Sequence, residues 1–261
     1  MTDLERGLFK KLKSKIFGKG KRKSIEDDLL VDDADSSSNY FLSFFKKSAS
    51  ADKERLVFRD QLRKIRYSLI NSQKKVILFS STKPSEGKTS LIAALAAALN
   101  ESHSRVLIID TNFGNPNLTK MFKGLKVLEE FFKHKKKSNS EASKTFTAMF
   151  ANNVGLPYVD VIGCKGGEYT PIEIIEGDAL KNLIEDIKDK YDFIFFEGAA
   201  LNSNSGSREL SSYVEGVVTV FSAKSNLDQL DFESIDFIKG LKDKNMGSIL
   251  NDVELRDMNK S

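Results

Sequence analysis

The sequence predicts an α/β fold, in which helices cover both faces of a parallel β-sheet and a partly disordered N-terminal segment comes first. Its short apolar runs lack the polar alternation of half-exposed strands, which is typical of strands buried on both faces. Helical patterns separate these runs, as expected of βαβ units. The 261 residues suffice for one such domain with appendages. The predicted strands are Val76–Phe79, Val106–Asp110, Tyr158–Ile162, Phe193–Phe196, Val217–Phe221 and Ser248–Asn251.

Helices are predicted before and between these strands. The first of them has an apolar stripe formed by Leu56, Leu62, Ile65 and Leu69, which predicts that one side packs against the domain. Residues 133–147, a run of lysines followed by serines, are interpreted as a polar insertion. The predicted helices span residues 51–71, 88–100, 172–189, 207–213 and 228–240.

Residues 1–24 are basic and carry a helical apolar pattern. They hold nine lysines and arginines against two acidic residues. Leu4, Leu8, Leu12 and Ile16 recur every four residues, as in a cationic amphipathic helix. Such a helix suits contact with an anionic membrane surface or docking on a partner. The alternative is a disordered basic tail that only aids solubility, and the sequence leaves both open.

The remaining composition sets limits on the class of protein. Residues 25–50 are rich in aspartate and serine, which predicts a linker, and the domain is expected over residues 51–255. The single cysteine, Cys164, excludes a disulfide framework and a cysteine-based zinc site and fits a reducing cytosol. No apolar run approaches the roughly 18–20 residues that span a bilayer. We therefore expect a protein that is cytoplasmic, or that is held on a membrane surface by something other than a span. The net charge of +4 gives no reason to expect a nucleic-acid partner.

Residues 76–90 carry the strongest functional signal, because a strand, a tight loop and a helix follow one another around Gly87-Lys88-Thr89. This order predicts a phosphate-binding loop at the positive end of a helix. Lys88 would reach the β- and γ-phosphates of a nucleotide, and the Thr89 hydroxyl would bind Mg²⁺. The usual glycine six residues before the lysine is Thr82, so an ordinary βα turn with a solvent-facing lysine stays as the alternative.

Two predicted strands end in an acidic residue that suits a metal site. Asp110 closes one apolar run, and Glu197 directly follows another. Ligands of open α/β sheets bind at the carboxyl ends of the strands, so both acids are expected to complete a Mg²⁺ site with Thr89. Parallel strands also end in acids where no ligand binds, and this alternative stays open.

Several segments occur in the order and with the residues of one known family. They are Ser80–Thr89, Val106–Pro116, Thr170–Ile175, Tyr191–Glu197, Asp60–Arg66 and Gly247–Asn251. On these segments the sequence resembles the bacterial tyrosine kinases of capsule and exopolysaccharide biosynthesis, within the MinD/ParA-like P-loop group. The resemblance covers about residues 54–253.

The resemblance implies ATP and Mg²⁺ as cofactors and a set of site residues. The implied catalytic residues are Lys88, Asp110 and Glu197, and the implied Mg²⁺ ligands are Thr89, Asp110 and Glu197. The implied nucleotide contacts are Lys83, Ser85, Glu86, Gly87, Lys88, Thr89 and Ser90 in the loop, and Asn251 at the adenine.

Lys83 has two interpretations. MinD/ParA-type loops, to which this loop is similar, carry a second lysine at this place that contacts the nucleotide of a neighbouring subunit, whereas kinases of the family usually lack it. Lys83 would then neutralise phosphate charge within one chain or across two. The alternative is a turn lysine that faces solvent.

The resemblance also implies partners. The helix with Asp60, Arg63 and Arg66 resembles a motif that makes subunit contacts in a ring, so we expect a homo-oligomer. A membrane polysaccharide co-polymerase or export protein is the expected partner, which places the protein at the inner face of the plasma membrane.

Three departures from the family's pattern divide the functional hypotheses. Asn112 stands where a second acid is usual, and an amide lacks the basicity to deprotonate a tyrosine. Glu197 is one methylene longer than the usual aspartate, and the C-terminal tyrosine cluster is missing after Tyr213. The hypotheses are a tyrosine autokinase, an ATP-dependent assembly module without strong kinase chemistry, and a MinD/ParA-like positioning ATPase.

Overall fold

A parallel β-sheet forms the centre of the computed structural model, as the sequence predicts. The structure describes residues 52–122, 125–135, 154–175 and 177–254, so the predictions for residues 1–24 and 25–50 lie outside the described residues. Within this part of the chain the sheet has six strands, each paired in parallel with its neighbours. They are β1 (Val76–Ser81), β2 (Val106–Asp110), β3 (Val159–Ile162), β4 (Phe193–Ala200), β5 (Gly216–Ser222) and β6 (Asn245–Asn251).

The strand order places a switch point beside β1. The order across the sheet is β3-β2-β4-β1-β5-β6, so the chain leaves β1 towards one edge and later continues from β4 towards the other. A crevice forms outside the carboxyl ends of strands where the direction reverses, and ligands of open α/β sheets bind there. The loop that follows β1 therefore lies where this topology favours a ligand.

Helices occupy both faces of the sheet. Ile77 and Phe79 of β1 belong to one apolar core, and Val76 and Leu78 belong to the other, as alternation along a strand requires. The helices are α1 (Asp52–Asn71), α2 (Lys88–Asn100), α3 (Asn117–Met121), α4 (Leu128–Lys135), α5 (Pro171–Ile174), α6 (Gly177–Lys188), α7 (Gly206–Leu210) and α8 (Gln229–Gly240).

The predicted helix at 172–189 is wrong in its continuity, because the structure contains two helices, α5 and α6. Ile175 ends α5 with extended backbone angles (φ −115°, ψ 109°) and is buried. The apolar periodicity continues across this break, so the pattern alone does not reveal it.

Two further helices were not predicted. The five-residue α3 is too short to show a period, and α4 overlaps the start of the predicted polar insertion at 133–147. Leu128, Phe131 and Phe132 of α4 are buried in the core, so the domain continues further into this region than its charge suggests. Residues 136–147 of that insertion lie outside the described residues.

Strand β4 is four residues longer than predicted and ends at Ala200. Gly198 makes the extension possible, since a Cβ there would come within 2.3 Å of Ser207 Oγ in α7. The residues after Glu197 are therefore buried strand rather than an exposed loop.

The second half of the first helix, α1, packs against the domain as the apolar stripe predicts. Leu62, Ile65 and Leu69 are buried in the core, whereas Leu56 is 64% exposed. Arg66 Nη1 donates a hydrogen bond to the carbonyl of Ala98 in α2, with 3.0 Å between the atoms. In the described part of the chain, no helix combines the length and the apolar character needed to cross a bilayer.

Candidate functional site

The loop between β1 and α2 depends on Gly87. Gly87 has a φ of +90°, which side-chain-bearing residues rarely adopt, and a Cβ there would come within 2.0 Å of Asn251 Nδ2. Asn251 lies at the end of β6 and donates from Nδ2 to the carbonyl of Glu86 (3.1 Å). The structure therefore brings Asn251 from the far end of the chain onto the predicted phosphate-binding loop.

The carboxylate of Glu86 points into the protein. Glu86 is buried, and its side chain accepts hydrogen bonds from the Lys83 amide (3.2 Å) and the Thr82 hydroxyl (3.4 Å). The amide of Ser222 at the end of β5 also donates to it (3.5 Å). Glu86 thus supports the loop from within, while Ser85 in the same loop is exposed and Ser90 is half-buried.

Lys88 begins α2 and folds back onto the loop. Its ammonium donates to Ser81 Oγ (2.8 Å), and the side chain is buried. Burial lowers the pKa of Lys88, although the nearby carboxylates of Glu197 and Glu86 oppose the shift. A lysine held near the positive end of a helix, with little solvent around it, is suited to an anionic ligand.

Glu197 and Thr89 meet next to this lysine. The Thr89 hydroxyl donates a short hydrogen bond to Glu197 Oε1. The other carboxylate oxygen of Glu197, Oε2, is buried and has no hydrogen-bond partner. Burial, with the charge of Asp110 added to it, raises the pKa of Glu197. A hydroxyl and an unsatisfied carboxylate oxygen are the hard oxygen donors that Mg²⁺ prefers, so these two residues fit the ion.

Both carboxylate oxygens of Asp110 accept hydrogen bonds from the protein. Its Oδ2 accepts from the hydroxyl and the amide of Thr119 (2.6 and 2.9 Å), and its Oδ1 accepts from the Asn112 amide (3.1 Å). Burial raises the pKa of Asp110, and these hydrogen bonds oppose the shift. Asp110 lies opposite Glu197 in the pairing of β2 with β4, so both acids occupy one edge as predicted, but their surroundings differ.

The Lys83 side chain is partly exposed and lies between two carboxylates near the start of α8. Its ammonium forms ion pairs with Asp228 Oδ2 (2.8 Å) and Asp231 Oδ2 (3.0 Å) and also donates to the carbonyl of Asn226 (2.6 Å). These carboxylates raise the pKa of Lys83. The lysine thereby links the loop to the start of α8.

Sequence reasoning missed Asp231, although it joins three parts of the site. Besides Lys83 it accepts from Asn202 Nδ2 (2.9 Å), which follows β4, and from the amide of Asp228 (2.8 Å). Burial alone would raise the pKa of Asp231, but these hydrogen bonds outweigh it and the pKa is lowered. An acid in the first turn of a helix is the available signal, and it indicates a helix start rather than a link to a distant loop.

The proposed oligomer residues on α1 do not join the site. Asp60 forms an exposed ion pair with Lys64 (2.7 Å), Arg63 is exposed, and Arg66 is bound to Ala98. Because α1 leads into the amino end of β1, its last turns lie towards the edge of the sheet opposite the loop. Among the described residues, no group of three or more His, Cys, Asp or Glu side chains forms a metal site.

Comparison with known proteins decides the family. The profile of the CobQ/CobB/MinD/ParA nucleotide binding domain matches residues 77–261. The chain belongs to this family. The family match includes the loop of Lys88 and the strands that contain Asp110 and Glu197, which supports the predicted class of nucleotide-binding domain.

Relatives within the family include tyrosine kinases, as the sequence predicts. The chain is 23% identical over 191 residues to the tyrosine-protein kinase YwqD of Bacillus subtilis, which covers 73% of this chain and 78% of YwqD. It is 24% identical over 195 residues to the succinoglycan biosynthesis transport protein ExoP of Rhizobium meliloti, covering 74% of this chain. That match spans only 24% of ExoP, so the chain corresponds to about a quarter of that relative's length.

A solved structure supports the fold. The kinase domain of the Escherichia coli tyrosine kinase ETK superimposes with a TM-score of 0.62 at 20% identity, over 76% of each chain. The parallel sheet with helices on both faces is therefore shared with a tyrosine kinase domain.

Proposed function

We propose that this protein is an Mg²⁺-ATP-binding, tyrosine-autokinase-like regulator of polysaccharide synthesis or export. The observation that carries the proposal is the unpartnered, buried Oε2 of Glu197, which lies beside the Thr89 hydroxyl and the Lys88 ammonium. A buried carboxylate oxygen without a partner is costly to maintain in a fold, and a ligand at this position would remove the cost.

The loop residues have separate roles in this proposal. Lys88 exchanges its hydrogen bond with Ser81 for the oxygens of the β- and γ-phosphates. Thr89 and Glu197 hold the ion, and when bound, Mg²⁺ supplies neutralisation of the phosphate charge. Asn251 and Glu86 keep the loop in shape through the contact of Nδ2 with the carbonyl oxygen. Asp110 stays a predicted ligand, which would first have to release Thr119.

A second function is favoured by one specific observation. Asn112 carries an amide in place of a carboxylate, and the Asp110 carboxylate already accepts three hydrogen bonds, so neither side chain is a free base for a tyrosine hydroxyl. In that alternative, ATP controls assembly of an oligomer through Asp60, Arg63 and Arg66, with little or no phosphotransfer. The ion pairs of Lys83 count against a positioning ATPase, because they keep its ammonium within one chain.

The cellular setting is proposed by analogy with the relatives. ExoP is named as a transport protein of succinoglycan biosynthesis. We infer that this chain acts on a membrane polysaccharide co-polymerase or export protein at the inner face of the plasma membrane. Residues 1–24 would add contact with anionic lipid.

The experiment combines binding and phosphotransfer. The purified protein is incubated with γ-labelled ATP and Mg²⁺ beside Lys88→Ala, and both phosphotyrosine and nucleotide affinity are measured. Lys126→Ala, which changes an exposed lysine away from the loop, is the matched control. The proposal expects label and tight binding in the wild type and the control, and loss of both in Lys88→Ala. Nucleotide binding without label supports the assembly function, and no nucleotide binding overturns both.

A further inference from the structure

The tyrosines are distributed unevenly between the two edges of the sheet. Tyr158 directly precedes β3, Tyr191 lies just before β4, and Tyr213 lies between α7 and β5. Tyr67 lies in the last turns of α1, which leads into β1. Because chain that enters a strand lies at the amino edge, these four side chains belong to the edge opposite the nucleotide loop. Of the tyrosines in the described ranges, Tyr169 alone follows a strand, β3, and so belongs to the carboxyl edge.

The loop that carries Tyr169 is linked through Thr119 to Asp110 at the end of β2. The amide of Cys164 donates to Thr119 Oγ1 (3.0 Å), and the same hydroxyl donates to Asp110 Oδ2 (2.6 Å). Further along, the amide of Gly167 donates to the carbonyl of Phe113 (3.0 Å), in the loop that follows Asp110. Two consecutive hydrogen bonds therefore separate the Tyr169 loop from the Asp110 carboxylate.

The other side of this loop packs against the segment that follows Glu197. A Cβ at Gly206, where α7 begins, would come within 2.9 Å of Pro171 Cδ. Gly206 follows Asn204, whose Oδ1 accepts from its amide (2.9 Å). The loop of Tyr169 thus contacts the chain that follows β2 through Gly167 and the chain that follows β4 through Pro171.

Tyr169 is also presented outward. Tyr169 is 51% exposed, and its ring lies over Gly167, where a Cβ would come within 2.4 Å of Cε2. The glycine therefore gives the ring a flat backbone surface to rest on while the rest of the ring meets solvent. By contrast, Tyr191 is buried and its hydroxyl donates to Asp160 Oδ2 (2.8 Å).

We propose that Tyr169 is the phosphoacceptor of this protein, an inference that rests on the proposed kinase function. The Tyr169 hydroxyl oxygen forms a bond to the γ-phosphorus of ATP. The bond from that phosphorus to the β,γ-bridging oxygen breaks, and ADP leaves with the electron pair. The phenolic proton passes to solvent water, so the products are phosphotyrosine, ADP and a proton. The exposed ring suits attack on ATP bound by a second copy of the chain.

The test compares two exposed tyrosines at opposite edges. Tyr67 is 66% exposed, so Tyr67→Phe matches Tyr169→Phe in chemistry and exposure but changes the amino edge. Both full-length variants and the wild type are incubated with γ-labelled ATP and Mg²⁺. We expect Tyr169→Phe to lose most of the phosphotyrosine label and Tyr67→Phe to keep it. Unchanged nucleotide affinity of Tyr169→Phe excludes a folding defect, since phenylalanine preserves the packing on Gly167.

Mapping of the labelled peptide and mixing of two variants complete the test. Trypsin releases residues 166–181 as a peptide with Tyr169 as its one tyrosine, and fragmentation separates phosphate on Tyr169 from phosphate on Thr170. Transfer between copies is shown if Lys88→Ala becomes labelled on Tyr169 when mixed with Tyr169→Phe.

The outcomes separate this inference from the proposed function. Label that persists in Tyr169→Phe, or maps to Tyr40 or another residue, overturns Tyr169 as the acceptor and leaves the kinase function in place. Absence of label in the wild type, with nucleotide binding intact, overturns phosphotransfer and the acceptor together.

Discussion

Two buried carboxylates on neighbouring strands differ in how many hydrogen bonds they accept from the protein. Asp110 and Glu197 lie opposite each other in the pairing of β2 with β4, and each ends an apolar run. Asp110 accepts three hydrogen bonds from Thr119 and Asn112, whereas Glu197 accepts one from Thr89 and keeps a buried oxygen without a partner. Similar local sequence therefore gives one carboxylate with protein donors on both oxygens and one with a buried oxygen that has no partner.

The two carboxylates also differ in the free-energy cost of burying them. A buried polar atom without a hydrogen bond costs about 1–3 kcal/mol, and more if it is charged. The three donors around Asp110 reduce this cost, so the side chain can contribute to stability. The cost at Glu197 persists until an ion or a proton reaches Oε2, and burial accordingly raises its pKa.

The largest effect is expected from Asp110→Ala. The change leaves the Thr119 and Asn112 donors without their acceptor in a buried place, so we expect the free energy of unfolding to fall by about 3 kcal/mol. Urea denaturation measures it. Asp236→Ala, at an exposed ion pair with Lys239, is the control and should change the stability by less than about 0.5 kcal/mol. A stable Asp110→Ala variant that no longer binds Mg²⁺-ATP would show instead that Asp110 is a metal ligand.

Glu197→Gln should weaken Mg²⁺-dependent binding without lowering the free energy of unfolding. It replaces the buried carboxyl group by a neutral amide of nearly the same shape, so stability should not fall, but the ion loses a carboxylate ligand. We expect the affinity for an ATP analogue in the presence of Mg²⁺ to fall about 10–100-fold, by analogy with the loss of partners in metal sites. Calorimetric titration with and without Mg²⁺ tests this, since the affinity without the ion should barely change. Equal losses under both conditions would contradict the assignment of Glu197 to the metal.

The raised pKa of Glu197 predicts that Mg²⁺ binding depends on pH. A carboxyl group that is protonated in the free protein must release its proton to bind the ion, so the Mg²⁺-dependent affinity should rise as the pH rises towards that pKa. We expect about a tenfold gain per pH unit in the range where one proton is released, because protonation and metal binding compete for one carboxylate. The same titration on Glu197→Gln should show a much flatter profile. An equally steep profile in that variant would assign the proton to another group.

The smallest effect is expected from Lys83→Ala, which changes neither carboxylate. Asp228 and Asp231 hold the ammonium of Lys83 away from a bound phosphate in this arrangement. Removing the ammonium should therefore change the affinity for Mg²⁺-ATP by less than about threefold, as expected for a partly exposed ion pair. Equilibrium binding of a fluorescent ATP analogue measures this affinity, with Lys224→Ala, at an exposed lysine in the loop after β5, as the control. A loss as large as that of Lys88→Ala would mean that Lys83 leaves its ion pairs to contact phosphate.

Sequence patterns were sufficient to locate the strands, the loop and the two acids, because each depends on residues that are neighbours along the chain. The apolar runs located the six described strands within a few residues, because a strand buried on both faces needs continuous apolar side chains. The order of strand, Gly87-Lys88-Thr89 and helix located the loop, and the ends of two runs located Asp110 and Glu197. These inferences depend on neighbours along the chain and on the rule that parallel strands present their carboxyl ends at one edge.

Tertiary structure alone decided which of these side chains are satisfied. Thr119 lies nine residues from Asp110, and Asp231 lies 148 residues from Lys83, so no local pattern links them. The choice between a hydrogen-bonded carboxylate and an unsatisfied one depends on which donors the folded chain brings within about 3 Å. The sequence by itself determined the α/β class, the loop and the two acids. The packing of α3 and α8 decided which acid receives hydrogen bonds from the protein and which lysine is held in ion pairs, because both depend on distances in space.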